Sequence, residues 1–81
     1  MIKRQFPNTY IYHPSFSLVS GTPDFLICYK GHFIGMEIKT QVGVVSRLQE
    51  YVLERIRKAG GLSCVVRSVE EARQILLDIG K

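Results

Sequence analysis

Residues 21–39, GTPDFLICYKGHFIGMEIK, constrain this chain more than any other stretch. Two apolar runs, Phe25 to Tyr29 and Phe33 to Ile38, flank Lys30-Gly31-His32. A glycine in so short a link predicts a β-hairpin, because glycine takes φ > 0 at no steric cost. Side chains alternate along a strand, so Phe33, Gly35, Glu37 and Lys39 share one face and Ile34, Met36 and Ile38 the other. The hairpin brings Asp24 back to this strand. With Lys30-Gly31 as the loop, Asp24 lies opposite Glu37; with Gly31-His32 as the loop, it lies opposite Lys39. Directly opposed residues have Cβ atoms about 5 Å apart. Either register gathers two carboxylates and one ammonium at one end of a sheet.

A surface ion pair would also explain such a cluster, and would contribute only about 0–1 kcal/mol. The surroundings argue for more. Asp24 follows Pro23 and opens an almost wholly apolar strand, and Glu37 stands in an otherwise uncharged run. Carboxylates in such places are kept where they are paired or bind metal. Two converging carboxylates suit Mg²⁺ or Mn²⁺, which bind through one or two carboxylates plus waters and substrate phosphate.

Pro23-Asp24, followed thirteen residues after Asp24 by Glu37-Ile38-Lys39, resembles the PD-(D/E)xK nuclease signature. The G-x-PD lead-in at Gly21, Glu37-Ile-Lys-Thr40, Ser46-x-x-Gln49, Gly60-Gly61 and the run Val65 to Glu71 resemble the VRR-NUC (virus-type replication-repair nuclease) subfamily. The likeness spans about residues 21–72. It implies a restriction-endonuclease-like core and a metal-dependent, structure-specific DNA endonuclease acting in replication and DNA repair. It also implies a stand-alone phage or bacterial type working in the cytoplasm as a homodimer, similar to Holliday-junction resolvases, on branched or junction DNA.

By the same resemblance Asp24, Glu37 and the backbone carbonyl of Ile38 hold Mg²⁺ or Mn²⁺, one ion or two. Lys39 completes the catalytic set. Gln49, with Ser46, stands near the metal. Ser46-x-x-Gln49 is equally a helix capping box, and both roles are open for Gln49. The alternative is a nucleic-acid-binding module that has the nuclease fold and impaired catalysis.

The remaining chain predicts an α/β fold with element order β-ββ-α-β-α. Thr9 to His13 reads as a strand with Tyr10 and Tyr12 on one face, where core or cross-strand packing is preferred over stacking on a base. His13 is a candidate outer group for the site, and Ser15 to Thr22 reads as a loop. Val45 to Ala59 is an amphipathic helix whose apolar stripe is Val45, Leu48, Val52, Ile56 and Ala59. Gly60-Gly61 stops it. Leu62 to Arg67 reads as a buried strand parallel to a neighbour. Ser68-x-x-Glu71 is a second capping box, opening a last helix through Ile79 with Ala72, Ile75, Leu76 and Ile79 inward. Together these give one mixed sheet with helices packed on it.

The family core begins with a helix that often supplies a further acid. Here Pro7 breaks the start of the chain, no helix fits before Thr9, and no Asp or Glu precedes Asp24. The first family helix is missing from this reading, and with it a third carboxylate. That role is then dispensable, or is filled by water, Gln or a second subunit.

At 81 residues the chain makes one domain, residues 1–81. A chain of this size buries only about 60% of its unfolded surface, so a second copy would help it. No apolar run is long enough to span a membrane, and the N-terminus lacks the apolar core of a signal peptide. Cys28 and Cys64 read as buried strand thiols in a reducing cytosol, not as a disulfide. The net charge of +4 favours a polyanionic partner. Lys3, Arg4, Lys30 and Arg47 are the candidate DNA contacts. Each alone reads as a solvated charge; beside the hairpin cluster they suggest a phosphate-binding face.

Overall fold

The structure, a computed structural model, describes residues 2–14 and 20–81, the side chains of Ile2 and Lys3 excepted. Its elements are α1 (Ile2–Gln5), β1 (Tyr10–Tyr12), β2 (Phe25–Tyr29), β3 (His32–Ile38), α2 (Arg47–Lys58), β4 (Leu62–Val66) and α3 (Val69–Ile79). The strands form one sheet in the order β1-β2-β3-β4. The first two pairings are antiparallel, and β3 pairs with β4 in parallel across α2. This is the mixed α/β sheet expected.

Tyr29 pairs with His32, so the hairpin turns on Lys30 and Gly31 alone. Both have positive φ, 51° and 81°, as a two-residue turn of primed type requires. Phe25 then faces Met36, which leaves Asp24 opposite Glu37. The first of the two registers is the one formed.

The two sheet faces have different tasks. Phe6, Ile27, Tyr29, Ile34, Met36, Val66, Ala72 and Leu76 make the buried cluster between one face and α3. The rings of Phe6 and Tyr29 meet edge to face, with centroids 5.6 Å apart. On the other face α2 lies over β3 and β4. Burial of Leu53 anchors it, and the Ser63 hydroxyl donates to the Leu53 carbonyl at 2.8 Å.

Several expectations need correction. A one-turn helix does precede β1, since Pro7 comes late enough to leave Ile2–Gln5 a single turn; it carries no acid. β1 is shorter than Thr9 to His13, because Thr9 turns inward and donates its hydroxyl to the Phe6 carbonyl at 2.6 Å. Tyr10 and Tyr12 are 69% and 50% exposed, because α2 does not reach over β1. Cys28 is exposed on that bare face, while Cys64 is half-buried; neither is in a disulfide. In α2 the core residue is Leu53, whereas Leu48 and Ala59 are exposed. β4 is an edge strand, and only Val66 is fully buried. Ser68 accepts from the Glu71 N–H, but the Glu71 carboxylate accepts from the N–H of Arg67. That second cap closes one residue upstream of the expected box. The Ser15 to Thr22 loop lies largely outside the described residues. Among the described residues no helix is long and apolar enough to cross a membrane.

With α1 only one turn long, the α3 side of the sheet keeps an open apolar cleft of about 440 Å³, its walls including Ile11, Phe25, Met36, Ile38 and Val69.

Gly21 sets the approach to Asp24. Its φ is +85°, and a Cβ there would meet Leu48 Cγ at 2.9 Å and the Leu48 carbonyl oxygen at 3.0 Å. Gly21→Ala should therefore cost about 1–3 kcal/mol, combining backbone strain with a clash against helix backbone. In a thermal melt the midpoint should fall by roughly 5–20 °C. An unchanged midpoint would mean that the loop does not pack on α2 in this way.

Candidate active site at the hairpin base

The hairpin register and the start of α2 bring six of the expected residues together. Asp24 sits just before β2 and accepts the Ile38 N–H on its Oδ2 at 2.8 Å. The carboxylate thus replaces the ladder bond that β2 stops short of making. In extended backbone a residue's carbonyl leaves the strand on the same side as its N–H. The Ile38 carbonyl therefore faces the Asp24 side, while the next N–H, that of Lys39, turns to the Val66 carbonyl at 3.0 Å.

Glu37 is 3% exposed. Its Oε2 lies 3.8 Å from Lys39 Nζ and accepts from Gln49 Nε2 at 2.9 Å. Among the described residues its Oε1 is buried with no hydrogen-bond partner. Gln49 also accepts from the Ser46 N–H at 2.9 Å, while the Ser46 hydroxyl accepts from the Gln49 N–H at 3.1 Å. One amide thus fills both roles left open for it. It caps α2 through its oxygen and holds Glu37 through its nitrogen. The sequence pattern identified both partners; only the fold shows that they are compatible.

Burial pushes the Glu37 carboxyl up to about 7, and the nearby Asp24 carboxylate pushes in the same direction against the opposing pull of Lys39. Two carboxylates, a buried oxygen without a partner and a converging backbone carbonyl form a hard-oxygen donor set that fits a divalent cation. Among the described residues no group of three His, Cys, Asp or Glu side chains comes together, so this donor set has two carboxylates.

Other candidates fall elsewhere. His13 packs on Phe25, its ring centroid 4.6 Å away, on the sheet face opposite Asp24. Arg47 opens α2, exposed and two residues from Gln49. Lys30 is at the far end of the hairpin, about 20 Å from Asp24 by strand rise. Arg4 is exposed on α1, which leads through Phe6 to Tyr29 near that same far end. The side chain of Lys3 lies outside those described.

Arg67 is a residue whose place the sequence did not reveal. In the sequence it is the last residue of an expected strand, yet its Nη1 donates to the carbonyls of Thr40 at 2.5 Å and Gly43 at 2.8 Å. It clamps the turn that follows Lys39. Its position at the end of an apolar strand, beside the start of a helix, was the available signal.

No protein-family model matches the sequence, and no curated protein matches it. A solved structure described as a VRR_NUC domain superposes with a TM-score of 0.75, covering 94% of this chain and 86% of its own, at 25% identity. The chain has the VRR-NUC fold. The resemblance drawn from residues 21–72 and the architecture thus agree. VRR-NUC is a nuclease-type domain, for which DNA is the partner suggested.

The state of Glu37 predicts a pH dependence. A carboxyl whose pKa is raised on folding favours the native state while protonated. That stability is present below the ordinary carboxylate pKa of about 4.5 and is lost as pH rises through about 7. In chelator, stability should fall between about pH 5 and pH 7, by at most about 3 kcal/mol. Glu37→Gln should flatten the slope and raise the melting point at pH 8. A wild-type melting curve that is flat across this range would show that folding does not raise the Glu37 carboxyl.

Proposed function

We propose that this chain is a metal-dependent, structure-specific DNA endonuclease, and that Asp24, Glu37 and Lys39 form its catalytic set. The observation that carries this reading is the buried Glu37 carboxyl beside Asp24: among the described residues its Oε1 has no hydrogen-bond partner, and its Oε2 lies 3.8 Å from the Lys39 ammonium. A folding role alone gives no account of a buried, raised-pKa carboxylate beside a second acid.

Asp24, Glu37 and the Ile38 carbonyl would hold Mg²⁺ or Mn²⁺. When bound, such an ion neutralises charge on the scissile phosphate and acidifies a water molecule. Gln49 keeps the Glu37 carboxylate from rotating, because its own amide is fixed by Ser46. Asp24 is held in turn by the Ile38 N–H. Lys39, 21% exposed in its side chain, reaches the surface with its ammonium and orients the attacking water or stabilises charge on the phosphate. Arg67 keeps the turn after Lys39 in place. Arg47, exposed at the start of α2, is one of the proposed phosphate contacts.

A homodimer acting on branched or junction DNA in replication and repair is part of the proposal. The open apolar cleft beside α3 supports a second copy, since so short a chain gains from covering it. Two symmetric sites suit paired nicks across a four-way junction.

The two-carboxylate donor set also supports a second reading, a DNA-binding module with impaired catalysis. One experiment separates the two. Four-way junction, flap, duplex and single-stranded DNA are incubated with Mg²⁺ or Mn²⁺. Wild type should cleave the branched substrates, and Asp24→Ala, Glu37→Ala and Lys39→Ala should each lose at least about a hundredfold in rate while still binding DNA. Binding without metal-dependent cleavage would favour the second reading. Full activity in any of the three variants would remove this site.

A further inference from the structure

The face of the sheet that carries Asp24 and Glu37 continues into a bare aromatic surface. Tyr10 pairs with Cys28, which pairs with Phe33, and Tyr12 pairs with Leu26. All five side chains share the site's face, because each is an even number of residues from Asp24 or Glu37 along its strand or pairs with one that is. Tyr10 is 69%, Tyr12 50% and Phe33 45% exposed. α2 stops short of them. Where it does meet β3, Ile56 and Pro23 fill the space over Gly35, so that a Cβ there would lie 2.6 Å from Ile56 Cδ1.

We propose that this surface stacks unpaired nucleotides adjoining the scissile phosphate, so that the preferred substrate has a single-stranded segment at the cut. The inference rests on the nuclease reading of the neighbouring site. Tyr12 lies one strand repeat from the Asp24 row and Tyr10 two, about 7 Å and 13 Å by strand rise. Those steps match the advance of an extended single strand, one base per tyrosine. Exposed aromatic rings in a row offer a π-face to any base, which is the way single strands are bound without sequence preference.

The charge pattern favours this occupant over a second copy. Among the described residues, the groove around Tyr10, Tyr12, Leu26, Cys28 and Phe33 has no charged residue in its walls. Among the described residues, the adjoining groove, which shares Phe33, contributes Arg55 and no acid. Arg55 stands 5.9 Å from the Tyr51 ring centroid and donates to the Tyr51 hydroxyl at 3.3 Å. An acid-free aromatic face with a cation at its rim and the two carboxylates at its head suits a polyanion with stacking bases.

The test is binding of fluorescein-labelled oligo(dT) and of a matched duplex by anisotropy, in chelator so that cleavage plays no part. The Tyr10→Ala/Tyr12→Ala double variant should lose about tenfold or more in affinity for oligo(dT) and little for duplex. Tyr10→Phe/Tyr12→Phe, which keeps the rings, should bind like wild type. Sedimentation of both variants should match wild type. The proposal is overturned if the alanine variant binds oligo(dT) normally, or if the phenylalanine variant is equally impaired. It is also overturned if the alanine variant changes its association state, since the face would then be a contact between copies. Wild-type cleavage by the Asp24 site with normal oligo(dT) binding in the alanine variant would refute the stacking face and leave the nuclease reading standing.

Discussion

A turn of two residues governs the chemistry at the other end of the hairpin. Because Lys30 and Gly31 both accept positive φ, Tyr29 meets His32 and each later pair follows from that one. A turn one residue longer would invert every side chain of β3 relative to the core. Glu37 would then change places with Ile38, and the buried cluster would lose Ile34 and Met36. The carboxylate pair and the hydrophobic core are thus secured by the same register.

Around that register, packing and polar contacts divide the work. Gly21 and Gly35 allow the chain before Asp24 to press onto α2 and the sheet. Burial of Leu53 anchors the helix, and its first turn presents Gln49 to Glu37. The Ser46–Gln49 cap is therefore structural and positional at once: what satisfies the end of the helix also stops the amide from turning away. Arg67 acts similarly on the far side of Lys39, spending its donors on two carbonyls of one turn.

Much of this was legible in the residue order. Alternation along Phe33 to Lys39, the glycine turn and the capping pattern at Ser46 identify the hairpin, α2 and the positions of Asp24, Glu37, Lys39 and Gln49. Local pattern did less well where the outcome depends on what covers a surface. Tyr10, Tyr12 and Cys28 have good strand-core character and are nevertheless exposed, because the one helix on their side sits over β3 and β4. Leu53 and Leu48 are equally apolar, and only the crossing position of α2 decides which is buried. Arg67 escaped notice because its partners are backbone carbonyls, which leave no mark in a sequence. The single turn at Ile2–Gln5 is shorter than any periodic signal.

The alternation of the sheet has an evolutionary corollary. Successive residues of β2 and β3 belong to different selective regimes: one set keeps the α3 face packed, and its neighbours face the site and the bare aromatic surface. Substitutions at Cys28 or Phe33 alter an exposed surface, whereas changes at the neighbouring Ile27, Tyr29 and Ile34 disturb the buried cluster. On β3 that freedom belongs to Phe33, since Ile56 closes the space over Gly35 and Glu37 is buried at the site.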